Sequence, residues 1–336
     1  MNTNADNGVA CKRDMILALG ELLVDMVPGK EDMLIRDAGP VIKTASGSAG
    51  IFACAATLLG GRGGFIGKVG KDHLSRLVTD TLRGQGVDMS HVIESEEGQI
   101  GLAFLEYLPD GRNYQYYRRG SVGSLLNAGE LDEEYIGGAY AVHFPGMLLE
   151  LTPEMRGACE RLMELSKKLG VLLSFDPNIR SELSADEEAR KRLMRAVCAA
   201  DIVAPTLKEG QMITGKESIG DVLRALHIMG PRVVALTRDK DGLVLSRDGQ
   251  VVLVDGIDEE PVDPTGAGDT LAAALCVGLR ENMPLVELAC FCNCAGTLVI
   301  TKKGAIGMAL PLRTEVDAMV ASGICKTRTA SLASLA

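Results

Sequence analysis

From Ala139 onward the chain repeats one pattern: a short, continuous apolar run, then a longer stretch with helical periodicity. The runs are Tyr140 to Phe144, Val171 to Phe175, Ile202 to Ala204 and Val233 to Thr237. Between them, Thr152-Pro153-Glu154 starts a helix that Gly170 ends, Ser184 opens a charged helix to about Ala200, and Ile219 to Met229 reads as a third. Runs without polar alternation suit strands buried on both faces, and strands that alternate with helices lie parallel. The pattern therefore predicts an α/β fold with a mainly parallel sheet and helices on both faces. Ligands of such sheets bind beyond the carboxyl ends of the strands. Asp176, Arg180, Glu209 and Asp269 all fall there.

The first third of the chain is less regular. Met15 to Leu19 reads as a strand ending in Gly20-Glu21, and Met33 to Lys43 as a mixed, partly exposed one. Ser46-Gly47-Ser48-Ala49-Gly50 opens an apolar helix, Ile51 to Leu59; Phe65 to Val69 is a strand, and Asp72 caps a helix to about Gly84. Ile100 to Leu108 and Arg112 to Arg118 are strand-like runs joined by Pro109-Asp110-Gly111, which has hairpin chemistry. The second run carries Tyr114, Tyr116 and Tyr117. A hairpin is foreign to a βαβ series, so these strands predict an inserted sheet, placed as a lid. A later hairpin pairs Gly242 to Ser246 with Val251 to Val254, and Thr327 to Ala336 reads as a loosely held end.

That later hairpin leads into Val262-Asp263-Pro264-Thr265-Gly266-Ala267-Gly268-Asp269-Thr270, followed directly by the apolar helix pattern Leu271 to Leu279. Gly266, Ala267 and Gly268 have almost no side chain, so their amides can approach an anion closely at a helix N-terminus. A carboxylate there, Asp269, repels a phosphate unless it has a proton to remove. An anion cradle with a general base beside it is what phosphoryl transfer to a hydroxyl requires. Two look-alikes fall away. Gly210-Gln211-Met212-Ile213-Thr214-Gly215-Lys216-Glu217 approaches a P-loop, but Glu217 stands where the Mg²⁺-binding hydroxyl belongs and Met212-Ile213 suggests a helix face. The glycines between Gly61 and Gly70 lack the dinucleotide spacing.

Composition narrows the function classes. The 336 residues suffice for a large core, and no apolar run reaches membrane-spanning length, which predicts a soluble protein. A net charge of −10 argues against a nucleic-acid surface, which needs a basic stripe. The polar segment Met1 to Arg13 lacks the core of a secretory signal, and nine scattered cysteines read as reduced thiols of a cytoplasmic protein. Cys290, Cys292 and Cys294 read as helix packing.

These residues resemble the ribokinase-like (PfkB) carbohydrate kinases. The resemblance is carried by Asp263 to Asp269, Gly20-Glu21, Phe65-Ile66-Gly67-Lys68-Val69-Gly70-Lys71-Asp72 and Asp176-Pro177-Asn178-Ile179-Arg180. It implies a kinase domain over residues 14–323, an αβα sandwich whose lid strands lie within about 33–45 and 98–120, with flexible tails at 1–13 and 324–336. It implies ATP as donor and Mg²⁺ as cofactor, with K⁺ in some members. Asp269 would take the proton from the acceptor hydroxyl while Gly266, Ala267 and Gly268 form the anion hole. Glu209 would support Mg²⁺ through water, with Thr206 where the family has Asn, and Asp263 would bind a monovalent cation. Thr237, Gly242 and Asn293 would border the nucleotide together with Gly266 and Gly268. Asp25 and Gly47 fall where members contact sugar hydroxyls, and Ile51 replaces a sugar-binding Asn.

Gly20 to Asp25 and Asp176 to Arg180 look like fructokinases. Tyr116-Tyr117-Arg118 looks more like 2-keto-3-deoxygluconate kinases, in which Tyr116, Arg118 and Arg180 would hold the acceptor, the two arginines sharing a carboxylate. The expected acceptor is a ketose or a keto-deoxy sugar acid; nucleosides are an alternative. A sugar-binding regulator without catalysis is a further alternative, against which Asp269 argues. Lid strands such as Ile100 to Leu108 often pair between subunits in such kinases, which leaves a homodimer open here, while charge and the length of the apolar runs predict no nucleic-acid or membrane partner.

Overall fold

The computed structural model describes residues 13–335 apart from 31–32, 109–110, 180–185 and 305. The strands in chain order are β1 (Met15–Leu19), β2 (Leu23–Pro28), β3 (Val41–Ser46), β4 (Arg62–Gly70), β5 (Val92–Ser95), β6 (Gly101–Leu108) and β7 (Gly111–Tyr117). They continue as β8 (Ala139–Pro145), β9 (Leu172–Asp176), β10 (Ile202–Val203), β11 (Val233–Thr237), β12 (Leu243–Arg247), β13 (Gln250–Val254) and β14 (Thr327–Ser331). Ten form one sheet in the order β14-β13-β12-β11-β10-β9-β8-β1-β4-β5, parallel from β11 to β5 and antiparallel at the other edge.

Alternate residues of single strands enter two different cores. Ile16 and Ala18 of β1 join one apolar cluster and Leu17 and Leu19 the other; Val233 and Ala235 of β11 divide from Val234 and Leu236 in the same way. Both faces are buried, which is why these strands read as unbroken apolar runs. One face is covered by Ser48–Leu58, Ala267–Arg280 and Leu285–Ile300. Alanines at 53, 55 and 56 and at 272–274 let the first two helices pack closely. The other face carries Pro153–Leu169, Glu187–Ala199 and Ile219–Met229. Residues 207–214 form a helix closed by Gly215 in the left-handed conformation, so the P-loop look-alike is no phosphate loop.

Strand order reverses at β1, which lies between β4 and β8, and the carboxyl ends there border a crevice. A second sheet, β3-β2-β6-β7, stands over it. The inserted lid is therefore present, with two corrections. Residues 33–40 form turns instead of strand, and β2, which follows β1 almost directly, is a lid strand. Two further expectations shift. The charged helix starts at Glu187 with Asp186 as its cap, and Ser184 lies outside the described residues, as do Pro109 and Asp110 of the lid turn. The end expected to hang free from residue 324 instead adds β14 to β13, pairing Val254 with Thr327 through Gln250 with Ser331. An exposed strand edge offers unpaired amides and carbonyls, and a polar Thr-Arg-Thr segment can satisfy them without an apolar signature.

His143 lies fully buried on β8, stacked on Phe52 with ring centroids 4.0 Å apart and Nδ1 3.0 Å from Ser174 Oγ. Burial pushes its pKa from 6.5 down to about 3, so the folded chain keeps it neutral while the unfolded chain protonates it. Stability is lost as pH falls below about 6.5, at about 1.4 kcal/mol per pH unit. Urea midpoints between pH 6.5 and 5 should fall less steeply in His143→Gln than in the wild type.

Candidate active site

The helix Ala267–Arg280 begins with Gly266 at φ 80°, and no side chain caps its first amides. A left-handed residue is cheap only as glycine, which fixes Gly266 at this corner. The Ala267 amide points back to the Pro264 carbonyl at 3.4 Å, so the first-turn amides of Gly268 and Asp269 are better placed for an anion than that of Ala267. Asp269 is buried, 8% exposed, and lines a cavity of about 250 Å³. Its Oδ1 accepts a hydrogen bond from the Ser48 hydroxyl, at the start of the Ser48–Leu58 helix. The structure thus brings the expected base and cradle together and adds Ser48, which nothing in the sequence reading singled out.

The expected acceptor residues Asp25, Gly47, Tyr116 and Arg118 line the same cavity, with Ile51 buried in its wall. Gly47 has φ 112°, and a Cβ there would stand 2.6 Å from the Glu21 carbonyl oxygen, so no side chain fits. Burial raises the Asp25 carboxyl to about 6; a hydrogen bond from Ser46 and the charge of Arg112 oppose the rise, while Asp263 adds to it. Arg118 sits over the Tyr116 ring at 4.9 Å, with Nη1 2.9 Å from Oε1 of the buried Glu21. Glu21 is raised to about 7 by burial, against the pull of Arg118. Arg180 lies outside the described residues.

From β7, Arg112 reaches Asp263 and Thr265, and the Tyr114 hydroxyl lies 3.2 Å from Thr265 Oγ1. Asp263 Oδ1 also accepts from the Thr265 amide at 3.0 Å and hydroxyl at 2.6 Å, and Oδ2 from the Gly304 amide at 3.1 Å. Oδ1 is saturated and already faces a guanidinium, so only Oδ2, which accepts from the Gly304 amide alone, is left for the monovalent cation expected at Asp263. Arg112 supplies the positive charge there.

Glu209 answers differently. Thr206 and Glu209 form a capping box, with Oε2 accepting from the Thr206 amide and hydroxyl at 2.8 and 2.9 Å, while Oε1 accepts from the Ile179 amide at 2.7 Å. Thr206 thus does local work in the place of the expected Asn. One lone pair remains on Oε1, which fits a single water-mediated contact to Mg²⁺. Asp176 and Asn178 also line the cavity, and the Asn178 amide donates to Asp176 Oδ1 at 3.0 Å.

Thr237 ends β11, and Gly242, at φ 95°, follows the turn after it; a Cβ on Gly242 would meet the Val254 carbonyl oxygen at 2.2 Å. Asn293 is buried on the Leu285–Ile300 helix and donates to the Asp255 carbonyl at 3.2 Å. These three lie apart from the acceptor cavity, along the segments that flank β11 to β13.

Residues 13–312 match the model of the pfkB family carbohydrate kinases. The chain belongs to that family. Its members are phosphotransferases that act on a sugar hydroxyl. Fructokinase-1 of Zea mays is 34% identical over 318 residues, 92% of this chain and 98% of that protein. An E. coli protein termed ribokinase II, solved in complex with ATP and Mg²⁺, superposes with a TM-score of 0.87 at 24% identity, covering 92% of this chain and 99% of its own. The 2-dehydro-3-deoxygluconokinase of Thermotoga maritima gives 0.83 at 20% identity over 92% of this chain and all of its own.

The Ser48 hydroxyl holds Asp269, the expected base, by a hydrogen bond. Removing one such bond costs about 1 kcal/mol, so Ser48→Ala should lower kcat/KM for the sugar about fivefold with little change in melting temperature, as steady-state kinetics beside a thermal melt would read.

Proposed function

We propose that this kinase transfers the γ-phosphoryl group of ATP to the primary hydroxyl of a ketose of the fructose type. The observation that carries the reading is Asp269, a buried carboxylate in the first turn of a helix whose amides no side chain caps, opening on a cavity of sugar size. A carboxylate there accepts the hydroxyl proton as the oxygen attacks phosphorus in line. The bond from phosphorus to the bridging oxygen of ADP breaks as the new one forms. The amides of Gly266, Ala267 and Gly268 would steady the charge on the moving group, that of Gly268 better placed than that of Ala267, which points to the Pro264 carbonyl. Mg²⁺ would be held by the phosphates and, through water, by Glu209, where it offsets phosphate charge. Thr237, Gly242 and Asn293 would border the nucleotide.

The ketose is favoured by the fructokinase relatives and by the cavity charges. Both described guanidinium groups there, Arg112 and Arg118, already face carboxylates. Asp25 would then bind sugar hydroxyls as an acceptor. A keto-deoxy sugar acid is the second reading, favoured by the stacking of Arg118 on Tyr116 beside the cavity, an arrangement suited to a carboxylate.

Asp269→Asn should lower kcat about 10²–10⁴-fold while leaving the thermal melt in place; near-normal turnover would remove the base assignment. ADP release measured across fructose, 2-keto-3-deoxygluconate and nucleosides should be fastest with fructose, and a nucleoside preference would overturn the ketose reading.

A further inference from the structure

Glu21 is a buried acid that the proposed transfer does not use. It follows β1 at the reversal of strand order, is 4% exposed, and lines the acceptor cavity. Among the described residues neither of its oxygens accepts a hydrogen bond. Its ionic neighbour is Arg118, 2.9 Å away but off the line a hydrogen bond needs. Arg118 comes from the lid, directly after β7, and Glu21 from the body of the domain. Apart from Glu21, the guanidinium touches the Tyr116 ring and Met147 Sδ, at 3.5 Å, and neither neutralises it.

We propose that Glu21 is a positioning residue: from the body of the domain it holds Arg118 of the lid over the acceptor pocket, so that affinity for the sugar depends on this pair. The inference rests on the sugar-kinase reading of the same cavity. A flexible arginine left to itself samples many rotamers, and fixing it before the sugar arrives removes that entropic cost from binding. Ground-state positioning of this kind changes KM more than kcat.

Burial raises Glu21 to about 7, so the grip is strongest where it is ionised, above that pH, and loosens below it. The other charged groups around it are accounted for. Asp25 of β2, Asp176 of β9, Asp269 of the Ala267–Arg280 helix and Arg112 of β7 share the cavity. Lys68 of the neighbouring β4 is turned to Glu97 and Glu130, at 2.5 and 2.8 Å. Asp25, raised to about 6, contributes a separate step that does not depend on Glu21.

The test measures KM for fructose from pH 6 to 8, together with fructose-induced melting shifts without ATP, in wild type, Glu21→Gln, Glu21→Asp, Arg118→Met and the double variant Glu21→Gln/Arg118→Met. Loss of one charge-assisted contact predicts a KM about tenfold higher at pH 8 in Glu21→Gln. The step near pH 7 should disappear, and kcat and the KM for ATP should stay within about twofold. Glu21→Asp should keep the step with an intermediate KM. Because Glu21 acts through Arg118, adding Glu21→Gln to Arg118→Met should cost nothing further. An unchanged KM in Glu21→Gln, a persisting step near pH 7, or full additivity in the double variant overturns the proposal while leaving the kinase reading intact. A wild type that neither binds nor phosphorylates fructose overturns both.

Discussion

A carboxylate kept out of water at the positive end of a helix is the constraint on which this site depends. Asp269 gains from the helix field and the Ser48 hydroxyl, and it loses hydration by being buried. The rest of the corner serves that balance. Gly266 turns the chain left-handed at the cavity wall, and a helix of small residues lets the whole first turn sit deep against Ser48–Leu58. A side chain at Gly47 would collide with the backbone behind it, so the cavity wall beside Ser48 is bare peptide too.

The second organising feature is charge pairing between lid and body. Arg112 meets Asp263, and Arg118 meets Glu21, each arginine coming from β7 or its end and each acid from the main domain. Buried pairs of this kind add little to stability, because desolvation offsets the attraction, but a partner left alone is costly. Their value here is positional. They hold the small sheet over the crevice where strand order reverses, and they take up the positive charge that an anionic acceptor would otherwise meet.

Much of the architecture was legible along the chain. Strands buried on both faces leave unbroken apolar runs, and β8 to β11 were readable within a residue or two for that reason. Caps at Asp72 and Thr152 mark helix starts by chemistry that acts over three residues. What escaped was either polar or shared between distant segments. β14 carries no apolar signal, because an edge strand needs only its backbone, and β2 reads as a continuation of β1 until its partners β3 and β6 are known. Ser48 meets Asp269 across 221 positions, a separation no local pattern reports.

Sequence alone determined the class of chemistry: a glycine cradle with an acid beside it, at the start of a helix in an α/β chain, is a local arrangement dictated by backbone sterics and by the field of a single helix. Only the tertiary structure decided the charge state of the site and the company each residue keeps. Desolvation of Glu21 and Asp25, the engagement of Asp263 by Arg112, and the reach of Glu209 to the Ile179 amide depend on which surfaces meet when the sheet, helices and lid close. Burial and electrostatics are properties of the assembled volume, not of any stretch of chain.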